Sequence, residues 1–382
     1  MSKNPLRELN EHGQSVWLDF ISRELVTTDR LRTLITEDAI SGMTSNPTIF
    51  QKAIAEGNAY DDQLRQLVGA GVTSPDELFV DLSVTDIQHA ADILRPIHGS
   101  SGGGDGYVSL EVAPALADDT EGTIAAAKDL WHRVERPNLM IKVPATPAGI
   151  PAVEELIAEG LNINVTLIFA LSAYRSVAEA YIRGLERRAE DGRSVSNHSV
   201  ASFFVSRVDT AVDRLLEERL KDSPDDEELR SLLGTAAIAN ARLAYEAFEQ
   251  IFRGERFAAM RGLGAAVQRP LWASTSSKNP AYRDVLYAEE LIGPDTVDTM
   301  PLQTIEAFRD HGTVRGDTVC EGYAEAHAVI ERLRSVGIEI DTVTQQLLEA
   351  GVRQFAESYD DLVRGIAAKV ESLHSGIGSG DR

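Results

Sequence analysis

Short apolar runs alternate with longer stretches whose apolar residues recur at helical spacing, and this alternation continues along most of the chain. The runs at 16–21, 40–43, 107–112, 139–143, 163–169, 201–205, 271–274 and 297–300 have strand length. Between them, 123–133, 148–159, 173–190, 208–220 and 232–251 carry the three- and four-residue periodicity of amphipathic helices. Strands separated by helices pair in parallel through crossovers. Eight of them predict an α/β fold of the closed (β/α)8 TIM-barrel type. An open doubly wound sheet is the competing arrangement, but it usually declares a glycine-rich phosphate loop after its first strand. The nearest candidate, Ser-Ser-Gly-Gly-Gly-Asp-Gly at 100–106, precedes a strand and reads as a flexible loop.

At 382 residues the chain exceeds a minimal barrel. The surplus falls in a leading helix, the stretch before Asp105, an acidic segment at 221–228 and a helical tail at 342–374. In that tail Leu347, Leu348, Val352, Phe355, Tyr359, Leu362 and Ile366 share helical spacing, which predicts packing on the exterior or rim of the barrel. The ending at 375–382 reads as frayed. No internal repeat or linker interrupts the pattern. A single barrel domain is expected over 1–382, with its core at about 13–312 and a helical extension at about 313–374.

The net charge of −23 argues against non-specific nucleic-acid binding, and any anionic substrate must meet local lysines or arginines against that background. Cys320 is the only cysteine, so no internal disulfide forms and a reducing compartment is implied. The opening Met1-Ser-Lys-Asn-Pro5 is not a signal peptide, and no apolar run approaches membrane-spanning length. A soluble cytoplasmic protein is expected. The eight histidines lack metal-ligand spacing, and neither a metal nor a cofactor is predicted.

Two-residue parity along the predicted strands sets Leu139, Ile141 and Val143 on one face, with Met140 and Lys142 on the other. Applied to every strand, it turns Asp19, Thr44 with Asn46, Glu111, Lys142, Asn164 with Thr166, and Ser202 inward, late in their strands. In a barrel that is the functional mouth. A single inward lysine is as well explained by a structural ion pair, but a polar cluster drawn from six strands is poorly explained that way. The residue types suit carbonyl chemistry through an imine. Lys142 is the candidate nucleophile, Glu111 the proton donor that expels water, and Asp19 the base that takes a hydroxyl proton. Asn46 and Asn164 can bond substrate hydroxyls, while Thr166 and Thr146 can orient a carboxylate or water. Arg207, and Lys278 in its serine-rich segment 274–279, are the best local phosphate binders. Read alone, Trp272 and Phe204 are packing residues.

These residues, in this order, resemble the transaldolase family. The segments that carry the resemblance are Thr44-Ser-Asn-Pro-Thr-Ile49, Val108-Ser-Leu-Glu-Val112, Leu139-Met-Ile-Lys-Val-Pro144, Asn162-Ile-Asn-Val-Thr166 and Ser202-Phe-Phe-Val-Ser-Arg207. The similarity runs from about Gly13 to about Gly312, with a helical extension also expected. It implies a class I barrel enzyme of the non-oxidative pentose phosphate pathway. Such an enzyme moves a dihydroxyacetone unit from sedoheptulose 7-phosphate to glyceraldehyde 3-phosphate. By motif position Lys142 resembles the Schiff-base lysine, Glu111 the acid/base acting through water, Asp19 the base for aldol cleavage and Thr146 the water-orienting threonine. Thr44, Asn46, Asn164, Thr166, Ser202, Phe204 and Ser274 resemble substrate contacts, and Arg207 a phosphate contact. Many members carry a second phosphate-binding arginine shortly after the position of Ser274. Here the segment reads Ser274-Thr-Ser-Ser-Lys278, so Lys278 is expected to substitute, as in a longer bacterial branch.

Two other readings stay open from the sequence. One is a related aldolase that releases free dihydroxyacetone, a class of shorter barrels often with tyrosine at the place of Phe204 and without Glu111. The other is a barrel that only binds sugar phosphates. Oligomeric state is also open, because the family includes monomers, dimers and larger rings.

Overall fold

The structure, a computed structural model, describes residues 4–55 and 57–377. Its centre is a closed barrel of eight parallel strands: β1 (Gln14–Asp19), β2 (Ile40–Thr44), β3 (Val108–Glu111), β4 (Leu139–Pro144), β5 (Ile163–Ile168), β6 (Ser199–Phe204), β7 (Arg269–Ala273) and β8 (Thr296–Met300). They follow chain order around the barrel, and β1 pairs with β8 to close it. Helices intervene between the strands, so the fold is of the (β/α)8 TIM-barrel type, with further helices at both ends. β4, β5 and β6 are buried at every position, as strands covered on both faces must be.

Several boundaries differ from the sequence reading, each for a local reason. β1 begins two residues earlier than its apolar run, because Gln14 is buried with Nε2 donating to the Leu291 carbonyl and to Thr296 Oγ1. The helix expected at 232–251 is two helices, Glu227–Leu232 and Ala236–Phe252, separated where Gly234 takes a φ of +70°. Pro47–Ala55 and Pro75–Ser100 also form helices, each opening on a proline preceded by a capping residue. Ser74 Oγ accepts from the Glu77 amide, and Asn46 Oδ1 accepts from the Ile49 amide.

The glycine cluster before β3 is an ordered floor to the barrel. The Asp105 carboxylate accepts from Ser15 Oγ and from Trp17 Nε1 at 2.8 Å. Arg269 donates to Ser15 Oγ and to the Gly104 carbonyl. Gly106 has a φ of +82°, and a Cβ there would sit 2.4 Å from the His98 nitrogen. Only glycine fits.

At the opposite mouth lies the long C-terminal helix Ile340–Ile377. It packs against Pro47–Ala55 after β2, the turn Pro114–Leu116 after β3, β5 itself and Ser206–Leu220 after β6. The expected rim packing is thus a crossing over the barrel mouth. Thr48 Oγ1 donates to Ser358 Oγ, and Phe79 meets Tyr359 edge to face. A Cβ at Gly351 would lie 2.9 Å from a Leu167 methyl, so the helix approaches the end of β5 closely. Of the ending at 375–382, residues up to Ile377 continue this helix and the rest lie outside the described residues. Among the described residues no helix is long and apolar enough to cross a membrane.

Candidate active site

Register places the chemistry. In parallel pairing Glu111 stands beside Lys142, and Lys142 beside Asn164, so three polar side chains share one inward layer of β3, β4 and β5. Asp19 stands beside Thr44 across β1 and β2. Their outward neighbours Leu18, Val112, Val143 and Val165 are buried against the helical layer.

Lys142 is 5% exposed. Its Nζ lies 3.2 Å from Glu111 Oε2 and donates to the Ser45 carbonyl at 2.9 Å. The Phe355 ring, from the C-terminal helix, sits with its centroid 5.9 Å from the same nitrogen. Burial pushes the Glu111 carboxyl above its ordinary range, opposed by the positive Lys142 beside it. Burial likewise raises Asp19, opposed by the Thr44 hydroxyl at 2.7 Å and by Lys142, Lys278 and Arg207. Two carboxyls whose surroundings resist ionisation therefore flank one amine.

A cavity of about 830 Å³ opens over this layer. Asp19, Thr44, Asn46, Lys142, Thr166, Ser202, Phe204, Arg207, Ser274 and Lys278 all line it. Arg207 lies over the Phe204 ring, 5.4 Å from its centroid, and burial lowers its pKa against the pull of Asp19. Lys278 donates to Ser276 Oγ, and burial, then the like charge of Arg207, lowers its pKa. Ser274 has a φ of +58°, a strained conformation for a non-glycine residue, and its Oγ meets Ser206 Oγ at 2.9 Å.

Not every sequence candidate faces the opening. Asn164 lies buried beneath it, donating to Ser109 Oγ and accepting from Ser202 Oγ at 2.7 Å. Asn46 uses its carbonyl oxygen as a helix cap, which leaves its amide NH2 toward the cavity. Thr146 is drawn away from the cavity. Its hydroxyl donates to the Ala117 carbonyl and accepts from the Gly149 amide, so it braces the start of helix Gly149–Glu159. Thr166 is the opposite case, a buried hydroxyl that lines the cavity with no hydrogen-bond partner among the described residues.

The sequence reading did not place at the site Thr299, which shares a hydrogen with Thr44 at 2.7 Å, nor Lys52, Arg214 and the C-terminal Gln346 and Gln354, and it expected Phe355 only to pack. Parity on β8 could have found Thr299, two residues before Pro301. The others depend on which helices cross the mouth, which no local pattern announces. Among the described residues, Lys52, Arg207, Arg214 and Lys278 take part in no ion pair. Nor does any group of three histidine, cysteine, aspartate or glutamate side chains among them converge as a metal site.

Comparison with known proteins agrees with this geometry. Residues 16–366 match the family described as Transaldolase/Fructose-6-phosphate aldolase. "Transaldolase 1" of Streptomyces avermitilis is 49% identical over 366 residues, covering 96% of this chain and 95% of its own. The "Transaldolase" of Thermobifida fusca is 49% identical over 368 residues, covering 96% and 98%. That of Parafrankia sp. is 49% identical over 376 residues, covering 98% and 100%. A full-length match of this kind, on a barrel with its amine and acids gathered at one mouth, shows that the chain belongs to the transaldolase family.

Proposed function

We propose that this protein transfers a dihydroxyacetone unit from a ketose phosphate to an aldose phosphate through a Schiff base on Lys142. The observation that carries the reading is the Lys142 nitrogen, buried 3.2 Å from Glu111 in a cavity that also holds Asp19 and two cations without ion pairs among the described residues, Arg207 and Lys278. Sedoheptulose 7-phosphate as donor and glyceraldehyde 3-phosphate as acceptor fit the family and the anion-binding end of the site.

The neutral amine attacks the C2 carbonyl of the donor. The carbinolamine loses water as Glu111 supplies a proton, aided by a water held at the free Thr166 hydroxyl rather than at Thr146. Asp19 then takes the C4 hydroxyl proton. The C3–C4 electron pair moves into the protonated imine, leaving a three-carbon enamine on the lysine and releasing an aldose phosphate. An acceptor aldose enters, the steps reverse, and water returns the amine. Asn46 and Ser202 would hold the sugar hydroxyls, with Asn164 fixing Ser202 from below and Arg207, Ser274 and Lys278 on the phosphate. Glu111, and phenylalanine rather than tyrosine at 204, support transfer over release of free dihydroxyacetone. We place this chemistry in the non-oxidative pentose phosphate pathway, in the cytoplasm.

Borohydride reduction in the presence of fructose 6-phosphate tests the proposal. A stable adduct should map to the peptide carrying Lys142 and vanish in Lys142→Met. No adduct would instead favour a barrel that only binds sugar phosphates. Rapid turnover to free dihydroxyacetone without an acceptor would favour the aldolase reading.

A further inference from the structure

The C-terminal helix brings one aromatic ring to the reacting nitrogen, although nearly all of the catalytic set comes from the strands. Phe355 is 6% exposed, lines the cavity and has its ring centroid 5.9 Å from Lys142 Nζ. The nitrogen's other neighbours, the Ser45 carbonyl and Glu111, are polar. The amine therefore meets an apolar ring from the helix and the proton donor from β3. The ring is held there by the helix as a whole. Gly351, one turn earlier, abuts Leu167, next to last in β5 and in a left-handed conformation (φ +58°). One turn later, Tyr359 packs on Phe79.

We infer that Phe355 is a specificity-determining positioning residue that decides whether the lysine-bound three-carbon unit goes to an aldose or to water. The inference rests on the Schiff-base reading above. Once the aldose has left, the enamine has two fates. It can add its C3 to an acceptor aldehyde. Alternatively, C3 takes a proton, water adds to C2 of the resulting iminium, and the C2–N bond breaks to free the amine and dihydroxyacetone. Both fates balance without any further reactant. A ring over one face of the imine confines water to the Glu111 side, where its delivery is tied to the acid that also serves ketose formation and release. Without the ring, C2 is open to water from both faces.

The experiment loads the protein with fructose 6-phosphate while a coupling dehydrogenase consumes released glyceraldehyde 3-phosphate, and follows the borohydride-trappable adduct with time. A parallel run adds erythrose 4-phosphate as acceptor and measures free dihydroxyacetone against the seven-carbon transfer product. In Phe355→Ala the adduct should decay about tenfold faster, and the ratio of free dihydroxyacetone to transferred product should rise by a similar factor. Phe355→Leu, which keeps an apolar cover, should return both values most of the way. Gly351→Leu, whose side chain presses on Leu167 beneath the helix without touching the ring, should shift both values in the same direction as Phe355→Ala, and thermal melting will show that each variant is folded. An unchanged ratio, with formation and decay slowed alike, would overturn the role of Phe355 while leaving the mechanism intact. If the unsubstituted protein gives no adduct, the Schiff-base reading itself falls.

Discussion

Thr146 and Thr166 lie on either side of the same strand pair, and the structure gives their hydroxyls opposite tasks. Thr146 bonds to Ala117 and Gly149, whereas Thr166 Oγ1 is buried at the cavity wall and unpartnered. Thr146→Val should cost about 1–2 kcal/mol of stability by urea unfolding, with kcat little changed. Thr166→Val should leave stability nearly unaltered and lower kcat at least tenfold, the scale of losing a positioned water. A fall in kcat confined to the Thr146 variant would return the water-orienting role to that residue. Arg207 allows a second test. Loss of a charge-assisted bond to phosphate is worth about 2 kcal/mol, or roughly thirtyfold in kcat/KM. Arg207→Ala should show that loss with phosphorylated donors and much less with unphosphorylated dihydroxyacetone donors. Equal losses with both would remove Arg207 from the phosphate role. Parity alone made the inward set of Asp19, Glu111, Lys142 and Ser202 legible from sequence, because alternation follows from strand geometry. The hydroxyl assignment was not legible, since a threonine's single hydrogen goes to whichever partner the folded chain brings near.

Among elements, β8 and the loop after β7 are tied together by a buried carboxyl. Thr275 Oγ1 donates to Asp298 Oδ1 at 2.8 Å, Oδ2 has no partner, and burial pushes the carboxyl up to about 7. The folded chain keeps this proton between the ordinary value of 3.8 and about 7, while the unfolded chain has lost it. The unfolded state then binds fewer protons, so stability falls as pH rises through that window, by about 1.4 kcal/mol for each step of one in pH. Asp298→Asn should flatten the decline, measured as urea midpoints at a series of pH values. A decline of the same slope in the variant would show that Asp298 ionises normally. Strands and their order were readable because apolar runs of strand length keep their period. The helices Pro47–Ala55 and Pro75–Ser100 carried clear start signals, Asn-Pro and Ser-Pro, that a reading centred on strand alternation passed over.

Over the whole molecule, a net charge of −23 surrounds a mouth where Lys52, Arg207, Arg214 and Lys278 stand without ion pairs among the described residues. With a Debye length of about 10 Å at 0.1 M, the cations nearest a bound phosphate dominate its energy, and distant acids are screened. Raising salt from about 0.05 to about 0.5 M should therefore raise KM for phosphorylated substrates severalfold and leave unphosphorylated donors nearly unaffected. A fall in KM with salt would mean that the acidic background outweighs the rim. That the C-terminal helix crosses the mouth was not visible in its heptad-like apolar face. Such a face says that a helix packs, not where.

The floor of Trp17, Asp105 and Arg269 closes the end of the barrel opposite the cavity. In the proposed transfer, donor and acceptor both come to Lys142 from the cavity side, and the departing aldose leaves the space that its replacement fills. Turn-taking between the two is then favoured by the shape of the vessel before any rate constant is assigned.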